Sequence, residues 1–594
     1  MAIYYRPAAA ALNRICSFAR SVSALYAVLL ALLHAQVAFA QVLQTPDTEE
    51  QRRRSQAEAQ ERQQRQQAPN VQLQSVFATG DDFSVTLPAE ALCFTVRDIA
   101  LDVPAYLPPY VRDAGAHTLP LDPFFFAQEY LRRYAGSCIG REGLGLIVKR
   151  LTNQILARGY TTTRVGIPEQ DMSKGVLTVT LVPGVIHAIR FSDPAIHGSW
   201  KSAFPARPGE LVNLRDLEQG LEQMKRVASQ DVDMQIVPGA QPGESDVVID
   251  VKRDKPWKFI VSLDDSGAKG TGKYQAGLTL GVDNLFGIND LFSAGLNMDA
   301  DRKGAQRGTS GRSLTYSAPY GYWTVGIAAS SYNYHQEIAG RNQTFVSSGN
   351  ADNVELKIQR LFQRDQVQKN TLQFRVGKRW SHAFIDGTEI EVQRRNTTFA
   401  ELAWVHKHYF GNAQLDLTVA DRRGVDWFNG QGDLPGREPD APTFIYNLQT
   451  VDATFVFPFK VADRPLTYIG NVRAQTTKSP LFVSDQFSIG NRYTVRGFDG
   501  DMALASERGV FMRNELVIPI PNSPHSAYAG IDFGRVYGPS VQNLLGDKLA
   551  GAALGLRGTF QKLTYDVFVG WALYKPDGFR TETPAAGFNL TYQY

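Results

Sequence analysis

Phe588-Asn589-Leu590-Thr591-Tyr592-Gln593-Tyr594 closes the chain on a strict alternation of apolar and polar residues with aromatics at its end. Successive side chains point to opposite faces of a β-strand, so Phe588, Leu590, Tyr592 and Tyr594 share one face and Asn589, Thr591 and Gln593 the other. The same period runs through Leu563, Tyr565, Val567, Val569 and Trp571, through Leu372, Phe374 and Val376, and through Ala276, Leu278, Leu280 and Val282, with Thr, Gln, Arg, Asp or Gly opposite. A soluble sandwich also alternates, but it turns its apolar face inward. Strands of about 10 residues with terminal aromatics favour a lipid-facing exterior around a wet lumen.

This alternation divides residues 256–594 into sixteen strands, from 257–264 to 585–594, including one at 351–361. Short turns at Pro319-Tyr320-Gly321 and Tyr409-Phe410-Gly411 contrast with long loops at 336–350, 422–443 and 477–507. Short turns on one side, long loops on the other and an even strand number are the pattern of an outer-membrane barrel. The 51 glycines and 11% aromatic content of the 594 residues agree with β structure.

The N-terminal region points to export. Arg6, Arg14 and Arg20 precede an apolar run, Leu25 to Leu33, and Ala38-Phe39-Ala40 has the small-x-small form of a cleavage site, so residues 1–40 read as a signal peptide. His34 and Gln36 break the run before it reaches the ~20 apolar residues of a membrane helix. Cys16 falls in this leader and leaves Cys93 and Cys138 as an even pair; an exported disulfide is the natural reading, two buried thiols the alternative. A net charge of +3 argues against nucleic acid as a partner, and no zinc-type Cys/His spacing occurs.

Residues 41–75 form a polar segment whose stretch Thr48 to Gln67 is rich in Glu, Arg, Gln and Ala. Glu49/Arg53, Glu58/Arg62 and Glu61/Arg65 stand at helical spacing. With no apolar face to bury, it is either a solvated linker or a helix housed in a watery channel. Two α+β units follow, at 76–184 and 185–255, each read as β-α-α-β-β. In the first, Leu144, Ile147, Val148, Leu151, Ile155 and Leu156 recur at helical spacing and Gly159 ends the helix. This order resembles the polypeptide-transport-associated (POTRA) module, a periplasmic domain that offers a sheet edge or groove to its clients.

Asn491-Arg492-Tyr493-Thr494-Val495-Arg496-Gly497-Phe498-Asp499-Gly500-Asp501 lies in the sixth long loop. Alone, an Arg-Gly-aromatic triplet is an ordinary turn. It gains weight beside Gly530-Ile531-Asp532-Phe533-Gly534, a strand whose acid faces inward if Ile531 and Phe533 face outward. With these pieces in order, and with Glu507-Arg508-Gly509 and Arg513-Asn514-Glu515-Leu516 following, the whole chain resembles the hemolysin-activator type of outer-membrane transporter in two-partner secretion, part of the outer-membrane assembly superfamily. The resemblance implies a sixteen-stranded transmembrane β-barrel, two POTRA modules and an N-terminal helix, near Thr48–Gln67, that plugs the lumen. It also implies that loop 6 folds into the barrel with Val495, Gly497 and Phe498 at its tip. Arg496 would latch there onto Asp532 of the wall motif bounded by Gly530 and Gly534. Gly587 and Asn589 depart from the usual placing of glycine in the last strand.

The implied function is nucleotide-independent secretion of a dedicated exoprotein with an N-terminal β-rich secretion domain. Outer-membrane lipid and, during biogenesis, the barrel-assembly machinery are further implied partners. A charge pair in a wet lumen would be softened by water. A barrel-assembly insertase and a diffusive porin are the alternatives; two modules and a plug-like helix favour secretion over insertion, and a porin needs neither module. No nucleotide loop, metal cluster or nucleophile–base set stands out, so neither an enzyme nor a cofactor is expected.

Overall fold

The computed structural model describes residues 46–73, 85–196, 198–339 and 343–594; the expected leader lies outside them. The alternating segments close into a barrel of sixteen antiparallel strands. These are β1 (Trp257–Asp264), β2 (Gln275–Asp283), β3 (Leu291–Asp299), β4 (Arg307–Tyr320), β5 (Trp323–Ala339), β6 (Thr344–Arg364), β7 (Gln368–Ile385) and β8 (Arg395–Phe410). The second half comprises β9 (Ala413–Val425), β10 (Asn447–Val461), β11 (Arg464–Thr477), β12 (Arg508–Pro519), β13 (His525–Tyr537), β14 (Lys548–Phe560), β15 (Leu563–Tyr574) and β16 (Ala585–Gln593). β16 returns to β1, with Asn589 opposite Asp264 and Gln593 opposite Ile260, and closure removes the sheet edges.

Alternation sets the two faces. Along β1, Trp257, Phe259, Val261 and Leu263 are 38–50% exposed while their neighbours turn inward. Such a band would be a liability in water and is the lipid-facing surface of a barrel. The sequence-based reading misplaces one loop. Most of 336–350 is strand, because β5 and β6 stay paired from Trp323 opposite Arg360 out to Ala339 opposite Thr344. Apolar alternation stops at the membrane edge, whereas backbone hydrogen bonding continues beyond it.

Helix α1 (Pro46–Gln67) precedes the modules. In the first module α2 (Pro109–Ala114), α3 (Phe125–Arg132) and α4 (Arg141–Ala157) accompany a sheet in which Val176–Val182 lies between Asp98–Asp102, parallel to it, and Arg164–Gly166, antiparallel. Ile147, Leu151 and Ile155 of α4 pack on Ile99, Leu177 and Val179 of that sheet. Gly159, at φ +97°, takes the left-handed conformation that stops the helix. Cys93 and Cys138 form a disulfide across 45 residues, fastening the short pair Phe94–Thr95 and Cys138–Ile139.

The second module sets Glu244–Arg253 between Val185–Phe191 and Gln230–Pro238. It carries a single helix among the described residues, α5 (Leu214–Lys225), which is the one expected near 214–227 and leaves the module one helix short of the β-α-α-β-β order. Buried Ala203 and Phe204, with Trp200 beside them, fill the core where another helix would pack. Leu107, Val111 and Val185 join the modules, and Tyr110 donates to Glu244 across the junction. Burial and that carboxylate push Tyr110 up to about 12, and the bond holds Glu244 below the usual carboxylate range.

Candidate functional site

The lumen is filled from two directions. α1 lies within it, and its charges turn to the wall: Arg62 meets Asp452 at 3.0 Å, Arg65 meets the same carboxylate at 3.1 Å, and Glu61 meets Lys357 at 2.9 Å and Arg375 at 3.4 Å. Glu58 pairs with Arg473 at 2.5 Å, and buried Glu49 accepts from Tyr332 at 2.5 Å. The acids and bases expected to pair along the helix thus find partners on β5, β6, β7, β10 and β11. A polar helix needs no apolar face here, because a ring of inward-facing charges replaces the core against which an ordinary helix packs. Of the two readings left open by the sequence, the channel-housed helix is the one observed.

Loop 6 (residues 478–507) folds back inside. Val495 and Phe498 are buried with Phe487, Ile489 and Leu504 of the loop and with Phe511, Val536, Leu549 and Phe579 of the barrel, so the loop packs on the wall through a small shared apolar core. Arg496 is carried to the inner face of β13, where Nε is 2.7 Å and Nη2 2.8 Å from the two carboxylate oxygens of Asp532, while its backbone N–H donates to Oδ2 at 3.0 Å. Nη1 reaches Glu515 at 2.6 Å, and Nη2 also donates to the Asn514 carbonyl at 3.2 Å. Asp532 points inward between Ile531 and Phe533, both exposed on the outer face. The structure therefore brings Arg496 and Asp532 together in bidentate geometry. It contradicts the expectation of a water-softened pair. Asp532 has no exposed surface and Arg496 is 3% exposed, because the loop and wall close over them.

Glycines admit the tip. Gly497, at φ +96°, presses on the β15 backbone so closely that a Cβ would overlap the Trp571 carbonyl. A Cβ at Gly530 would strike the Arg496 guanidinium, and one at Gly534 would meet Val495. The sequence run Arg513-Asn514-Glu515-Leu516 does not by itself assign Glu515 to Arg496, and sequence reasoning misses Gly551 and Gly570, which lie under Arg496 and Gly497. They come from β12, β14 and β15, and only the barrel register makes them neighbours.

The same loop spans the barrel seam. Arg492 meets Asp265 at 2.7 Å, and Asp265 accepts from the Phe588 amide at 2.8 Å, just beyond the last β16–β1 pair. A Cβ at Gly587 would collide with Arg492, which accounts for the glycine at that departure from the usual pattern. Outside the seam, Lys269 is ringed by Asp499 at 3.1 Å, Asp501 at 2.7 Å and Glu582 at 3.0 Å.

At the other end α5 docks beneath the barrel. Arg364, at the end of β6, is buried against Glu218 at 3.3 Å and Glu222 at 2.9 Å. Gln219 and Gln223 donate to the Gly321 carbonyl in the β4–β5 turn. Val71, after α1, packs into the core of the second module, and its carbonyl accepts from Arg364.

Comparison with known proteins matches the family model for haemolysin secretion/activation protein ShlB/FhaC/HecB to residues 243–558. A POTRA domain matches 185–238 and a ShlB-type POTRA domain 110–184. The chain is 44% identical over 568 residues to outer membrane transporter CdiB-2 of Burkholderia pseudomallei (strain 1026b), covering 93% of this chain and 97% of that one. It is 26% identical over 444 residues to hemolysin transporter protein ShlB of Serratia marcescens, covering 73% and 77%. Among solved structures, CdiB from Escherichia coli superposes with TM-score 0.81 at 25% identity and CdiB from Acinetobacter baumannii with 0.79 at 26%, each over 93% of this chain and all of the other.

Proposed function

Because the chain belongs to the ShlB/FhaC/HecB family of haemolysin secretion/activation proteins, outer-membrane transporters of two-partner secretion, we propose that it captures one dedicated exoprotein, unfolded, in the periplasm and passes it through the barrel without nucleotide hydrolysis. The observation that carries this reading is a lumen filled by two elements outside the barrel's strand ladder: α1, held by ion pairs to the wall, and loop 6, held by the Arg496–Asp532 pair and a shared apolar cluster. A channel built to stay closed would need no such removable parts, and one built for free diffusion would not be filled.

In this proposal residues 41–75 are plug and tether, 76–184 and 185–255 are receiving modules, and 256–594 is the conduit. The modules take the client by β-augmentation on an exposed strand edge such as Gln230–Pro238. Arg496 and Asp532 latch loop 6 with Val495, Gly497 and Phe498 seated against Gly530 and Gly534. Directionality arises because an unfolded chain enters and a folded one cannot return.

The experiment is a comparison of proteins released by otherwise identical cells with and without this chain. One large exoprotein should vanish from the medium while outer-membrane barrels keep their abundance. General depletion of barrels would instead assign the chain to barrel assembly.

A further inference from the structure

The two elements that fill the lumen meet around one side chain, with Arg54 Nη1 of α1 also reaching the Ser484 carbonyl of the loop at 3.5 Å. Gln475 on β11 is the last residue to pair with β12, opposite Gly509, so it stands at the root of loop 6. It is 2% exposed. Its amide nitrogen donates to the Asp485 carbonyl at 2.9 Å and to the Glu507 carbonyl at 3.1 Å, one on each leg of the loop. Its amide oxygen accepts from Arg54 Nη2 of α1 at 2.9 Å. Beside it, Gln51 of α1 donates to the Val483 carbonyl of the loop at 2.6 Å.

A primary amide is suited to this position because it donates twice and accepts as well. A carboxylate could hold Arg54 but neither carbonyl; an aliphatic side chain could hold none of the three. A buried polar group that loses its partner is left desolvated and unsatisfied. Departure of α1 strips Gln475 of its arginine, and release of the loop strips it of two acceptors.

We propose that Gln475 is a positioning residue that makes α1 and loop 6 one gate, so that freeing either element weakens the hold on the other. Coupling of this kind is reciprocal. The inference rests on the reading of α1 as a plug that leaves the lumen.

Ser55 of α1 is 8% exposed, so a cysteine there reacts only when the helix leaves. The full chain carrying Ser55→Cys, in outer-membrane fragments open on both sides, is labelled with a water-soluble maleimide and read against the chain without that substitution. Arg496→Ala should speed labelling by on the order of 10-fold. Gln475→Leu should label fast by itself, and Arg496→Ala should add far less to it than to the chain with Gln475, since only the direct bonds from Gln51 and Arg54 to the loop remain. Gln475→Glu keeps the acceptor for Arg54 and loses both donors, so labelling should stay slow and become much less sensitive to Arg496→Ala. Heat-modifiable migration in a denaturing gel shows that each barrel is folded. If Arg496→Ala leaves labelling unchanged, or speeds it equally with Gln475→Leu present, the coupling is wrong and the plug reading stands. If Ser55→Cys resists labelling in every variant, plug and coupling fall together.

Discussion

Asp532 faces the lumen without touching solvent, both its oxygens accept from the Arg496 guanidinium, and Arg496 Nη1 is held in turn by Glu515. Removing one partner of a buried pair strands the other at a penalty of about 3–5 kcal/mol. Arg496→Ala and Asp532→Ala should each cut secretion at least tenfold with the barrel still inserted, and the double variant should lose less than the product of the two. Immunoblots of medium and membrane read both quantities. Gly497→Ala should resemble Arg496→Ala, since the φ of +96° and the Trp571 carbonyl both reject a Cβ. Arg496 and Asp532 could be picked out from sequence because each sits in a short run with its own signature. Glu515 stands in a run of its own, Arg513 to Leu516, that does not show its pairing with Arg496, and Gly551 and Gly570 have no signature at all, since a Gly in a strand has none until the register of β12 to β15 is known.

Among the elements, α1 is held by charge, and most of its partners are on the barrel wall. Deleting 46–67 should raise single-channel conductance in planar bilayers, and Asp452→Ala, which frees Arg62 and Arg65 together, should give an intermediate frequency of open events. A conductance unmoved by the deletion would reduce α1 to a bystander. Its polar composition alone could not separate a solvated linker from a housed helix, because what distinguishes them is the ring of wall charges on strands hundreds of residues away. The disulfide belongs to this scale too. Closing a 45-residue span removes about 4 kcal/mol of unfolded-chain entropy in the loop-closure account. Reductant should therefore expose the first module to protease while leaving the barrel heat-modifiable. Strand positions were legible throughout from the two-residue period, whereas the outer ends of β5 and β6 were not, because strands leave the lipid without ceasing to pair.

For the whole molecule, the elements form a line of dependence: the second module holds Arg364 and the tether at Val71, the tether leads to α1, and α1 meets loop 6. The order of leader, polar helix, two modules and barrel could be read along the sequence. That order carries no information on which face of α5 meets the barrel turns, which needs Gln219, Gln223 and Arg364 in one place. Replacing Arg364 by Ala should leave Glu218 to Arg215 and Glu222 to Lys369, cut the tie from β6 to α5 and to the Val71 carbonyl, and slow secretion several-fold without lowering barrel abundance. Whether the client travels through the lumen which α1 fills is measured most directly by fixing the helix there. Cells carrying Arg62→Cys with Asp452→Cys are treated with a short bifunctional thiol reagent, and exoprotein release is compared with that of each single variant treated alike. Release should fall in proportion to the fraction of chain cross-linked. Undiminished release from quantitatively cross-linked protein would mean that the client takes another path.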